Sequence, residues 1–173
     1  MMSLAAFNAA SAAEARAVLD HACHCTPWVE AMLAGRPFAD REALLTAAAR
    51  HWGSMDEAAL LEAFSGHARI GDVAALRDRF SSAAREQGQV AAAEEPVLAD
   101  LLTLNRAYEA RHGFLFIVCA RGRSARQMRD LLRERLRNDR ARELANAARE
   151  QAAITRLRLE AAIVDAARGA GRP

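Results

Sequence analysis

Lysine is missing from this chain altogether; all 24 of its basic residues are arginine. Arginine is spread along the whole chain, so the absence reads as a coding bias with no functional message. Breakers are scarce, with 9 glycines and 4 prolines in 173 residues, and aromatics make up only 5%. Three cysteines, an odd number without framework spacing, exclude a disulfide scaffold and point to reduced thiols and a cytoplasmic setting. No apolar run reaches the roughly 18 residues of a membrane span. The N-terminal residues show no basic region followed by a long apolar run, so no signal peptide is expected. The ending Gly171-Arg172-Pro173 is not a peroxisomal address. Glycine-rich phosphate loops, nucleophile elbows and Ser–His–Asp or Cys–His arrangements do not occur either. A proton-transfer enzyme without a covalent intermediate is compatible with all of these absences.

Alanine is what the chain has in abundance, 43 residues, and alanine is the strongest helix former. The length suits one domain over 1–173, able to bury about two-thirds of its unfolded surface. The expected fold is all-α: a single-domain bundle of about eight helices. Net charge is +2 but uneven, with 10 Arg against 15 acids in residues 1–120 and 14 Arg against 7 acids in 121–173. Such a C-terminal third could face nucleic acid or an anionic partner. The interspersed acids favour a solvated face of Arg–Glu pairs, around Arg129–Arg133–Glu134 and Arg142–Glu143.

Caps and breakers predict the helices. Ser11 caps one to about His24, Pro27 opens a short one to Met32, and Asp40 caps one that Gly53 ends. Ser54-Met55-Asp56-Glu57 reads as a capping box for a helix to Ser65-Gly66. Further helices are expected over about 73–80, from Ser81 or Ser82 to about Ala92, over 95–111, over 125–137 and over 139–167. The last carries an apolar stripe of Leu144, Ala147, Ala148, Ile154, Leu157, Ala161 and Val164. Phe114–Cys119 is too apolar and β-branched for a loop and is expected as a short buried extended segment near 114–120.

Several polar residues are not explained by apolar periodicity. His67 follows Gly66 at a helix-to-helix junction, and its ordinary pKa near neutrality suits proton transfer; a capping histidine is the plainer alternative. Glu86 and Gln87 are adjacent, about 100° apart on a helix, so at most one aims squarely at a pocket centre. On their own they read as a solvated face. Arg158 borders the apolar stripe of the last helix, where it must pair with an anion or snorkel; an internal salt bridge is the competing reading. The backbone of Phe116–Ala120, if it joins no ladder, offers donors and acceptors that suit a ureido or hydantoin-like ring; a buried core connector is equally compatible. On a helix, His21, His24 and Cys25 would share a face, but no second ligand cluster accompanies them, so no metal site is expected.

Taken together, these motifs resemble the OHCU decarboxylases (2-oxo-4-hydroxy-4-carboxy-5-ureidoimidazoline decarboxylases) of uric acid degradation. The resemblance runs from about Phe7 to Ile163. It rests on His67-Ala68-Arg69-Ile70-Gly71, Glu86-Gln87, Phe114-Leu115-Phe116-Ile117-Val118-Cys119-Ala120-Arg121, Arg135-Leu136-Arg137-Asn138 and Ile154–Leu159. Pro27-Trp28 and Arg36-Pro37-Phe38 also fit. The resemblance implies an all-α, often dimeric enzyme without metal or organic cofactor that forms (S)-allantoin and carbon dioxide. It implies His67 and Glu86 as catalytic groups, with Ala68, Ala83, Gln87, Phe116, Ile117, Val118, Cys119, Ala120 and Arg158 around the substrate. Two positions depart from the family pattern: Ala68 stands where it has proline, and Ala83 where it has serine. The alanine at 68 loosens the loop, and a substrate hydrogen bond lost with the serine at 83 costs about 0.5–1.5 kcal/mol. The runner-up functions are a decarboxylase or lyase of another small ureido acid, and a non-enzymatic helical module binding an acidic partner.

Overall fold

The computed structural model describes residues 1–68, 95–119 and 122–164. Eight helices lie among them: α1 (Leu4–Ala9), α2 (Ala12–Ala22), α3 (Thr26–Ala34), α4 (Arg41–Trp52), α5 (Glu57–Ser65), α6 (Glu95–His112), α7 (Ala125–Arg135) and α8 (Arg140–Ala162). Two-residue strands β1 (Met2–Ser3) and β2 (Ile163–Val164) pair in parallel, Met2 opposite Ile163. The all-α expectation holds. The expected helices over 73–80 and 82–92 lie outside the described residues.

Chain contacts divide into two compact units, Met1–Gly66 with Glu150–Pro173, and His67–Arg149. In the first, α3 packs against α2, α4 and α5. Buried residues of α2 recur as Ala15, Leu19 and Ala22, one stripe of a 3.6-residue period. Fully buried Trp28 on α3 donates its indole N–H to the Ala48 carbonyl of α4 at 3.0 Å, satisfying the polar edge of a large apolar ring. Asn8 exchanges two hydrogen bonds with the backbone of Phe38, and Arg36 spans the Phe7 and Ala10 carbonyls at the end of α1. In the second unit α6 packs against α7.

Local chemistry sets most boundaries. Ser11 with Glu14, and Ser124 with Gln127, form reciprocal capping boxes, and Asp40 accepts from Ala43 N–H at 2.7 Å. The expected box at Ser54 is corrected: Asp56 caps α5 by accepting from Ala59 N–H, while the Ser54 hydroxyl donates back to His51 O. Aspartate accepts more strongly than a serine two residues further from the helix. The last helix stops at Ala162, short of the expected Ala167, because Ile163 and Val164 pair with the N-terminal residues. That pairing joins residues 161 positions apart, which local patterns do not reveal.

The stripe expected on α8 is also corrected. Its fully or nearly buried positions are Glu143, Ala147, Gln151, Thr155 and Leu159, a row four residues apart that includes three polar residues. Each polar member has a partner. Gln151 donates to the Thr155 hydroxyl at 3.1 Å, and Glu143 accepts four side-chain bonds. The arginine pairs differ from those expected as well: Arg133 meets Asp100, Arg129 meets its neighbour Asp130, and Glu143 meets Arg135.

Candidate active site

Gly66 caps α5 and is followed at once by His67. An added Cβ at Gly66 would lie 2.4 Å from the Cβ of His24, too close for any side chain to survive without movement. Glycine is therefore needed here for close approach, at an ordinary helical φ of −71°. On the same side, Glu62 of α5 accepts from the Thr26 backbone N–H at 3.1 Å, at the start of α3. These two contacts fix where α5 ends and where His67 begins. His67 is half-buried and Ala68 exposed, so the imidazole is within reach of a dissolved ligand.

The C-terminal turn of α2 meets the candidate of the first unit, Arg158. The last carbonyls of that helix have no helical partner. Arg158 of α8 donates from Nη1 to His21 O at 3.3 Å and to Ala22 O at 3.4 Å. A cation there also meets the negative end of the helix dipole. Arg158 is thus engaged with backbone, and the internal salt bridge is not what is found. Nη1 carries two of the five N–H donors of a guanidinium, which leaves Nε and Nη2 to face a carboxylate.

Helix α2 ends at Ala22, so His24 and Cys25 lie beyond it and the shared helical face with His21 does not form. His24 Nδ1 sits 3.2 Å from Asp20, and buried Cys25 faces Met55. Burial pushes the Cys23 thiol up to about 12, so it stays protonated and unreactive. Among the described residues no cluster of three or more His, Cys, Asp or Glu is arranged to hold a metal ion.

The second unit contains the Phe114–Cys119 segment. Gly113, at φ +80°, ends α6 with its N–H on Glu109 O, and the chain then runs without joining a sheet. Among the described residues, 114–119 join no ladder, the condition under which their backbone could serve a ligand. Phe114, Ile117 and Val118 are buried, while Phe116 and Cys119 are half-buried. One expected ligand group is already engaged: the Ile117 carbonyl accepts from Arg135 Nη1 at 2.9 Å.

Arg135 belongs to a buried network that sequence reasoning missed. Its Nε donates to Glu143 at 2.7 Å, and its Nη2 lies 3.4 Å from the Tyr108 hydroxyl. Tyr108 donates to the same carboxylate oxygen at 2.6 Å, and Asn138 and Asn146 each donate to the other oxygen at 2.7 Å. Burial acts to raise the Glu143 carboxyl, but the bonds from Tyr108, Asn138, Arg135 and Asn146 outweigh it and hold the group below its ordinary value. A signal was available: Ala125, Met128, Leu132 and Arg135 form the buried stripe of α7, so an arginine occupies an apolar position. Close by, His112 is 1% exposed, its ring 4.5 Å from that of Tyr108, and burial lowers its pKa.

His67 and the Phe116–Cys119 segment belong to one unit and Arg158 to the other. Ala83, Glu86, Gln87 and Ala120 lie outside the described residues.

A model of the OHCU decarboxylase family matches residues 8–160, running through both units. Over 78 residues the chain is 38% identical to the uric acid degradation bifunctional protein TTL of Arabidopsis thaliana; the match covers 45% of this chain and 24% of TTL. The chain therefore spans about a quarter of that curated relative. A crystal structure of an OHCU decarboxylase in the presence of (S)-allantoin is 31% identical, with a TM-score of 0.68 over 81% of this chain and 92% of the other. An (S)-allantoin synthase shares the fold at 18% identity and a TM-score of 0.69, over 93% of this chain and 54% of the other. Together with the helical architecture, the match over residues 8–160 shows that the chain belongs to the OHCU decarboxylase family.

Proposed function

We propose that this chain is a decarboxylase of uric acid degradation, converting 2-oxo-4-hydroxy-4-carboxy-5-ureidoimidazoline to (S)-allantoin and carbon dioxide. The observation that carries the reading is the family match over residues 8–160, which includes every candidate site residue. That match running through both units also supports one catalytic domain.

In this reading the bond between the ring and its carboxylate breaks and carbon dioxide leaves. The electron pair stays on the ring and takes up one proton on one face. His67 delivers that proton, with Glu86 as its catalytic partner, and a donor fixed on one side yields one enantiomer. Arg158 grips an anionic or carbonyl oxygen through the nitrogens not engaged with α2. Gln87, Ala68 and Ala83 contact the ring and ureido group, as does the Phe116–Ala120 backbone. The chemistry is proton transfer by the chain's own side chains. The same reading has the enzyme act as a cytoplasmic homodimer; the buried thiols of Cys23 and Cys25 suit a reducing compartment.

The test generates the substrate in situ from urate and follows allantoin by circular dichroism. A one-signed signal that grows with enzyme concentration and is lost in His67→Ala is expected. A racemic background unchanged by the protein would refute the assignment and favour a related ureido acid, selected by alanine at 68 and 83.

A further inference from the structure

Phe116–Cys119 is asked to present backbone groups to a ligand, yet it belongs to no sheet that would fix its shape. A segment without a ladder holds one conformation only if other groups tie down its polar atoms. Arg135 does so at two adjacent residues. Its Nη1 donates to Ile117 O at 2.9 Å, and its guanidinium carbon lies 4.8 Å from the centroid of the Phe116 ring. One rigid plane thus grips the backbone of Ile117 and supports the side chain of Phe116.

We propose that Arg135 is a positioning residue for the reaction, holding Phe116 and Ile117 so that the 116–119 backbone meets the ureido substrate; this rests on the function proposed above.

The energetics favour that role over simple stabilisation. Arg135 and Glu143 have side chains only 6% and 0% exposed. A buried ion pair of this kind is often no more stabilising than apolar side chains of the same volume. Apolar residues cannot reproduce a planar fork that ends on a carbonyl. The network is arranged to serve that fork. Tyr108, Asn138 and Asn146 complete the Glu143 carboxylate, so the carboxylate remains charged and holds Nε in place while Nη1 faces the segment. Lysine would keep the charge, but its point ammonium can neither stack on Phe116 nor reach both oxygens in one plane.

The experiment compares full-length Arg135→Lys with Asn146→Ala, which removes one donor to Glu143 and leaves the contact with Ile117 intact. Amide hydrogen exchange over 114–119 is expected to quicken about tenfold in Arg135→Lys and to stay unchanged in Asn146→Ala, the scale of one lost hydrogen bond. With substrate, Arg135→Lys is expected to raise KM about tenfold with a smaller change in kcat, and Asn146→Ala to stay within about twofold of wild type. Phe116→Leu keeps the ion pair and loses the stacking surface. If Arg135→Lys does not fold, Phe116→Leu carries the test, with about threefold faster exchange expected. Unchanged exchange over the segment, or equal changes in Arg135→Lys and Asn146→Ala that follow their melting temperatures, would overturn the proposal. Absence of turnover by the wild-type chain would instead refute the proposed function, and the exchange comparison would still decide whether Arg135 holds the segment.

Discussion

Arg158 and Arg135 both end on backbone carbonyls, but their surroundings are opposite. Arg158 is half-buried and makes two long bonds, 3.3 and 3.4 Å, to the end of a helix. Arg135 is 5% exposed and sits among short bonds of 2.6–2.7 Å that saturate a fully buried carboxylate. The first arrangement is soft, two long bonds from a single nitrogen. The second is rigid and has few donors left.

The largest expected effect is on the rigid side. Glu143→Ala leaves a buried guanidinium unpaired, and its cost of about 3–5 kcal/mol would show in denaturant unfolding. Arg158→Ala sharpens the contrast. It should cost under about 1 kcal/mol of stability, as a partly exposed charge at a helix end does. It should lower kcat/KM by about 10- to 100-fold, the scale of one or two charged hydrogen bonds to substrate. Gly66→Ala should cost about 1–3 kcal/mol by overpacking against His24, and its loss of turnover should exceed its loss of folded protein because His67 is displaced. His24→Gly in the same chain should restore much of both, which a double-mutant cycle would reveal.

The pH dependence of stability separates two groups in the second unit. His112 has a folded pKa below its ordinary 6.5, so the unfolded chain takes up a proton first and stability falls as pH drops below about 6.5. Glu143 is likewise depressed from 4.5, so its contribution is full above that value and is lost at lower pH as it falls toward the folded pKa. Denaturation midpoints measured from pH 8 to pH 3 should therefore decline in two stages. His112→Phe should abolish only the first. The smallest effect is expected for Tyr108→Phe, which removes one donor to Glu143 at about 0.5–1.5 kcal/mol and leaves the acid stage in place.

Much of the fold was legible in local chemistry. Ser11, Asp40 and Ser124 cap as expected because a side-chain oxygen meets an N–H within three residues, and Gly53, Gly66 and Gly113 stop helices as expected. The α8 stripe was misread for a physical reason. Periodicity weighs side chains by polarity, while Glu143, Gln151 and Thr155 are buried because partners elsewhere satisfy them. Arg135 stands out in the sequence through its place in the stripe of Met128 and Leu132, an apolar position held by a charge. In the sequence Gly66 is a helix breaker; its closeness to His24, 42 positions away, has no local signature.

The sequence by itself determined the all-α class, most helix ends and the family, since these depend on contacts within a few residues or on motif order along the chain. Tertiary structure alone decided that Arg158 closes the end of α2, that Gly66 must be glycine, and that Arg135 joins Glu143 to the Ile117 carbonyl. Each of these depends on atoms meeting across distant positions, where a single ångström separates a bond from a clash.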